Sequence, residues 1–249
     1  MKYYLYYAGM AKDLTASEQI GLCTSTDGVR FQRTADDGLI IPRDEEIWGK
    51  NLRTCNPTIM RTNDEFLMFY QGVGSPNGTY GPQISSRTSI GLARSRNGTD
   101  WVCDDEPILS YHNMRALDPE MDTGQTVGLV EPSVIFESHV YRMWFVYRHH
   151  TRPGNAIFYA ESRDLEYWEI SPEPVLCGHA FGSCRIHYPQ AIRRNGSLEL
   201  WFTLHDDDSG MSRIHKARSV EDPHSLQDAK EIPPVRPLQD AAVTPPFQL

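Results

Sequence analysis

The sequence contains no apolar run near the roughly 20 residues that a membrane-crossing helix needs, so it offers no candidate helical span. It has no basic excess: 33 Asp and Glu outnumber 24 Lys and Arg, for a formal net charge of −9. A nucleic-acid-binding face needs the opposite balance, because it must neutralise phosphates. Five cysteines occur (Cys23, Cys55, Cys103, Cys177 and Cys184), but no C-x-x-C, so neither a zinc ribbon nor a dithiol redox centre is indicated. The opening MKYYLYYAGM has one lysine and no apolar h-region. It reads as a strand, not as a signal peptide. These absences together predict a cytoplasmic protein with reduced thiols, no metal or cofactor, and no nucleic-acid or membrane partner. They leave the oligomeric state open.

What the sequence does have is internal repetition. NPTIMRTNDEFLMFYQG from Asn56, EPSVIFESHVYRMWFVY from Glu131 and YPQAIRRNGSLELWFTL from Tyr188 align without gaps. In each, a proline is followed eleven residues later by Met68, Met143 or Leu200, and then by two aromatics: Phe69-Tyr70, Trp144-Phe145 or Trp201-Phe202. Two apolar or alternating halves around a polar turn predict a β-hairpin. Two more strands follow, in IGLARSRNGTDW and IFYAESRDLEYW. Ala93 or Ala160 precedes Ser95 or Ser162 by two residues, and Trp101 or Trp168 follows that serine by six. The N-terminus fits the same template through Cys23, Ser25, Asp27-Gly28 and Phe31, and RIHKARSVED keeps Ala217 and Ser219. Asn-Gly at Asn77, Asn97 and Asn195 reads as turn, not as glycan acceptor.

The fold class predicted is all-β: one domain over 1–249, a β-propeller of four-stranded blades with four repeats visible. The first repeat lacks a proline-bearing inner strand, and AVTPPFQL at the C-terminus is the candidate for it. Pairing of Thr244–Leu249 beside Tyr3–Tyr7 would close the ring and remove two exposed edges. Trp101 and Trp168 are expected at equivalent, buried positions.

The motif [D/E/N]-P-x-[V/I], then M-W/F-Y, then I-x-x-A-x-S-x-D-G-x-x-W resembles that of the propeller glycosidases: arabinanases, xylosidases, invertases and mannoside-phosphorylase-like enzymes. The resemblance covers nearly the whole chain. It implies a sugar or small-molecule substrate in a central pocket and, as the alternative to four blades, five. It also implies a catalytic carboxylate at the start of an inner strand, where Glu131 stands. Glycosidase chemistry pairs two carboxylates. The other equivalent positions hold Asn56, Tyr188 and Thr244, so a partner must come from a loop, with Asp118, Asp122 or Asp206 as candidates.

Blade topology brings residues before each repeat proline, and the links leading to them, to one opening. Glu131, His187 and Asp118 are the catalytic candidates. Asn56, Arg53, Arg148, His149, Arg185, Tyr188, His205 and Asp206 are the substrate-binding ones, with His150 nearby. Each has a plainer role. A loop arginine or histidine is usually a solvated group, and Glu131 can serve inner-strand amides or pair with Arg185. His205-Asp206-Asp207-Asp208 reads as a solvated turn before it reads as a metal site. Tyr70, Trp144 and Trp201 sit at repeat-core positions, which suits packing better than sugar stacking. Three functions stay open: a glycosidase-like carbohydrate-active enzyme with Glu131 as acid/base; a lyase, cyclase or isomerase of a small metabolite using Glu131 and His187; and a non-catalytic sugar-binding propeller.

Overall fold

The computed structural model describes residues 2–10, 18–34, 38–41, 53–74, 87–114, 117, 127–148, 155–183, 185–206, 208–219 and 227–231. Among them the only helices are two 3₁₀ turns, Tyr111–Met114 and Gly178–Phe181; the protein is all-β. Strands β1 (Tyr3–Gly9) and β2 (Gln19–Ser25) pair, and two short pieces, β3 (Gln32–Arg33) and β4 (Leu39–Ile41), share the far edge of β2. A second antiparallel unit runs β5 (Arg53–Arg61), β6 (Phe66–Gly74), β7 (Arg87–Ser95) and β8 (Val102–Cys103). A third runs β9 (Val127–Glu137), β10 (Val140–Arg148) and β11 (Ala156–Ser162), edged by β12 (Glu169–Ile170) and β13 (Leu176–Cys177). The fourth is β14 (Arg185–Arg194), β15 (Ser197–His205), β16 (Ser212–Ser219) and β17 (Gln227–Glu231). A short parallel contact, Arg87 to Val127 and Thr88 to Gly128, joins the second unit to the third.

The register places corresponding residues opposite one another. Met68 faces Ala93, Met143 faces Ala160, Leu200 faces Ala217 and, in the first unit, Leu5 faces Cys23. The small residue leaves room for the long one. A related device pairs Tyr70 with Gly91 and Tyr7 with Gly21. A Cβ at Gly91 would lie 2.6 Å from the Tyr70 ring, so glycine is what lets that ring lie across the strand.

Neighbouring residues of a strand point to opposite faces, and here both faces are covered. Leu67 and Phe69 pack with Leu129, Met143, Phe145 and Trp168 of the third unit. Met68 and Tyr70, between and beside them, pack with Ile20 and Ile41 of the first. On the far side of the third unit Val130, Trp144, Val146 and Tyr159 meet Ile186, Leu198, Leu200 and Phe202 of the fourth. In the second and third units the consecutive aromatics thus serve two cores, one per face; in the fourth, Phe202 joins a core while Trp201 is half-buried under Lys216. Tyr70 and Trp144 are fully buried packing residues. Trp168 is buried, but Trp101, expected to match it, is half-buried. Trp101 lies in the smaller core, edge-on to Tyr6, with less of the molecule around it. Residues 243–249 lie outside the described residues, and with them the expected pairing to Tyr3–Tyr7.

One turn recurs three times. Ser25, Ser95 and Ser162 each donate to the side chain two residues on, Asp27, Asn97 or Asp164. That side chain in turn accepts two backbone N–H groups: Val29 and Arg30, Thr99 and Asp100, Glu166 and Tyr167. The next residue takes positive φ: Gly28 (75°), Gly98 (76°) and Leu165 (71°). Hydrogen bonds from the Arg30 and Val29 amides hold the Asp27 carboxyl down at about 2. A depressed carboxylate stabilises the fold fully above its unfolded value near 3.9, and that contribution fades as pH falls through about 2. Asn97 shows that asparagine makes the same turn, so Asp27→Asn removes only the titration. The stability gap between wild type and Asp27→Asn, followed by urea unfolding, is expected to hold constant above pH ~4 and to shift as pH falls toward 2. A gap that stays constant down to pH 2 would contradict this.

Candidate functional site

The site begins with a backbone irregularity shared by three inner strands. In β5, Asn56 and Pro57 together oppose one residue of β6; in β9, Glu131 and Pro132 oppose one of β10; in β14, Tyr188 and Pro189 oppose one of β15. Each is a β-bulge, which bends the strand and re-aims a side chain. Asn56, Glu131 and Tyr188 all have positive φ, 51°, 58° and 52°. A non-glycine residue there is strained by ~1–3 kcal/mol, and a following proline ordinarily drives its neighbour to extended backbone. Three equivalent strained positions mark a local design held in place by the surrounding packing.

In two of the three, the residue after the proline bridges to the next unit. Thr58 donates its hydroxyl to the Pro132 carbonyl, linking β5 to β9. The Ser133 hydroxyl accepts the Ala191 N–H at 2.9 Å, linking β9 to β14. The inner strands therefore stand side by side with their bulges in line.

Glu131 is the centre of this arrangement. It is only 3% exposed, yet both carboxylate oxygens are engaged. Oε1 accepts Arg148 Nη2 at 3.0 Å and lies 3.1 Å from His187 Nδ1. Oε2 accepts the Tyr188 backbone N–H at 2.7 Å. On the far side of the imidazole, Asn155 Nδ2 lies 3.2 Å from His187 Nε2. The imidazole thus has a carboxylate at Nδ1 and an amide at Nε2.

Arg53 pairs with Glu18 at 3.0 Å, and the Thr54 N–H donates to the Glu18 carbonyl. Asn56 donates to Gln71 at 2.7 Å. The two ion pairs share neighbours. Burial pushes the Cys55 thiol up to about 12, and the charges of Arg53, Glu18, Arg148 and Glu131 all act on it. The Tyr188 hydroxyl is raised by desolvation first and then by Glu131, with Arg148, Glu18 and Cys55 also acting. The Nε atoms of Arg53 and Arg148 are buried without a partner among the described residues.

Glu131, Arg148, His187 and Tyr188 are therefore brought into direct contact, and Arg53 and Asn56 stand on the adjoining strand. Arg185, considered as an ion-pair partner of Glu131, is not the one found: Arg148, at the end of the neighbouring strand β10, takes that place. Arg185 is exposed at the start of β14, across from His205. His205 makes a 3.1 Å contact with Ser212, and Asp206 caps a turn by accepting the Asp208 and Ser209 amides. Those amide bonds depress the Asp206 carboxyl. Asp118, Asp122, His149 and His150 lie outside the described residues. Among the described residues no cluster of three His, Cys, Asp or Glu could hold a metal ion. Sequence reasoning missed Glu18, Cys55 and Asn155. Glu18 ends the link into β2, a position equivalent to links it did consider, and that was the available signal.

No known family's sequence pattern matches the chain, and no curated protein matches it. Solved structures do. A GH32 β-fructofuranosidase of Bombyx mori superposes with a TM-score of 0.68 at 13% identity, over 92% of this chain and 47% of that one. The chain has the fold of the propeller glycoside hydrolases. A thermostable family-43 glycoside hydrolase gives a TM-score of 0.67 at 16% identity, over 93% of this chain and 73% of that one. An exo-1,5-α-L-arabinanase from a bovine ruminal metagenomic library gives 0.60 at 17%, over 92% and 71%. The chain spans about half the length of the β-fructofuranosidase and 62% of another glycoside hydrolase.

Removing the central carboxylate leaves Arg148, His187 and the Tyr188 amide without their shared acceptor. Glu131→Ala is expected to cost roughly 2–3 kcal/mol by urea unfolding. That is below the ~3–5 of a fully buried pair, because Arg148 keeps some water. A loss under about 0.5 kcal/mol, the size of an ordinary surface change, would show that the contacts hold nothing.

Proposed function

We propose that the chain is a glycosidase-like, carbohydrate-active enzyme whose sugar lies against the bulges of β5, β9 and β14. The observation that carries this reading is Glu131: a buried carboxylate on a strained bulge, oriented from three directions. Strain of this kind concentrates at functional sites. The fold is shared with glycoside hydrolases, one of them a β-fructofuranosidase variant in complex with sucrose.

In this reading the second carboxylate is Glu18, which the sequence alone did not nominate. It and Glu131 act on the same two groups, Cys55 and Tyr188, each from its own ion pair with an arginine. One carboxyl group gives a proton to the leaving oxygen and the other activates water or attacks the sugar carbon. Arg53, Arg148 and Asn56 take sugar hydroxyls through directional N–H donors. We further propose that the blades number four.

A second reading rests on the Glu131–His187 contact. A carboxylate in contact with an imidazole suits proton transfer in a lyase or isomerase of a small metabolite. The two readings separate at Glu18. A panel of p-nitrophenyl pentosides and hexosides tests the first, with circular dichroism confirming that each variant is folded. At least one glycoside should be cleaved, and Glu131→Gln and Glu18→Gln should each lower turnover by ~10²-fold or more. Wild-type rates in Glu131→Gln would end the glycosidase reading. A full rate in Glu18→Gln with loss in His187→Ala would favour the second.

A further inference from the structure

A concavity lies in the fourth unit, outward of the Glu131 site along the same strand ends. His187 pairs across to Thr203 and Arg185 to His205, so the two places are two register positions apart on β14 and β15. The concavity measures about 450 Å³ and is lined by Phe181, Ser183, His205, Asp206, Arg213 and His215, among others. That falls within the ~300–1,000 Å³ of small-molecule sites.

Its wall is built, not accidental. Phe202 and His215 stack at 5.7 Å and 17°, and Phe181 leans over both at 5.9 and 6.5 Å. Phe181 is 36% exposed, so part of a large apolar ring is left to solvent on a backing of buried aromatic surface. The segment that carries it is pinned. Gly182 takes φ 73° to turn the chain, and Ser183 donates its hydroxyl to the His205 carbonyl. In the same lining, Asp206 is held by the Asp208 and Ser209 amides, both at 3.0 Å.

An apolar ring that shares one small cavity with acceptors and donors suits a ligand with an apolar face and hydroxyl edges. The charge balance points the same way. The positive charge of Arg213 acts on Asp206, so the cavity presents both signs and does not favour a bare anion such as phosphate. We infer that this concavity is a second carbohydrate subsite, stacking one polyhydroxylated ring on Phe181 while Asp206, His205 and Arg213 take its hydroxyls. It rests on the carbohydrate reading above, and adds that the substrate is longer than one sugar unit.

The test uses binding, so it stands apart from hydrolysis. Saturation-transfer NMR of the full chain with glucose, galactose, arabinose, xylose and fructose should give at least one bound sugar. Phe181→Ala should weaken its affinity about tenfold or more, and Tyr167→Ala, at an exposed aromatic outside the concavity, should leave it within about twofold. Phe181 is part-exposed, so its variant should fold; if it does not, Arg213→Ala, at an exposed residue, decides in the same way. Three results would overturn the subsite: no sugar bound, sugar binding unchanged in both variants, or displacement of the sugar by inorganic phosphate. Failure of the glycosidase reading would appear instead as absent glycoside cleavage with sugar binding intact.

Discussion

The carboxylate of Glu131 is shared between two sheets, and the inner face of the molecule is organised around that sharing. Its bond to the Tyr188 amide crosses from β9 to β14, and its ion pair with Arg148 crosses back to β10. A buried charge costs several kcal/mol unless it is paired and hydrogen-bonded. Here each donor depends on the others being in place. Arg148 must end its strand next to Glu131, His187 must sit one residue before the β14 bulge, and the bulge must turn the Tyr188 N–H inward. The positive φ at Glu131 and at Tyr188 are two sides of one contact.

At Asn56 and Glu131 that strain is tolerable because the second and third units are clamped from both faces. The Phe69, Phe145 and Trp168 core lies on one side of the third unit and the Trp144, Tyr159 and Phe202 core on the other. With side chains close-packed on two faces, the inner strands cannot slide to relieve a bulge. Hydroxyl bridges from Thr58 and to Ser133 then set the inner strands side by side. Rigid packing of this kind is what lets loops and strand ends hold a constellation of polar groups. Beyond it, the proposed function rests on which groups arrive: two carboxylates, two arginines, a histidine and an asparagine.

Much of the fold could be read from residue spacing, because spacing is what local structure obeys. The proline-to-methionine interval predicts hairpins, and the register sets Met68, Met143 and Leu200 opposite Ala93, Ala160 and Ala217. Ser-x-Asx spacing encodes a turn whose hydrogen bonds stay within a few residues. The motif also singled out Asn56, Glu131 and Tyr188, though nothing local revealed that they share left-handed backbone. Contacts between units were harder. That Arg148, and not Arg185, pairs with Glu131 depends on how β10 lies against β9. Glu18 was missed because its meaning comes from Arg53, 35 residues away, and not from its neighbours. Trp101 and Trp168 have identical spacing but different burial, because spacing does not say how much of the molecule surrounds a blade.

The most direct measurement is a crystal structure with a hydrolysis-resistant thioglycoside of whichever sugar the glycoside panel identifies. The account predicts the sugar ring at the bulges of β5, β9 and β14. The sulfur that replaces the glycosidic oxygen should lie within one water's reach of Glu131 or Glu18, and the other carboxylate should stand across the ring. A thioglycoside bound away from the bulges, with Glu131 and its partners untouched, would contradict it.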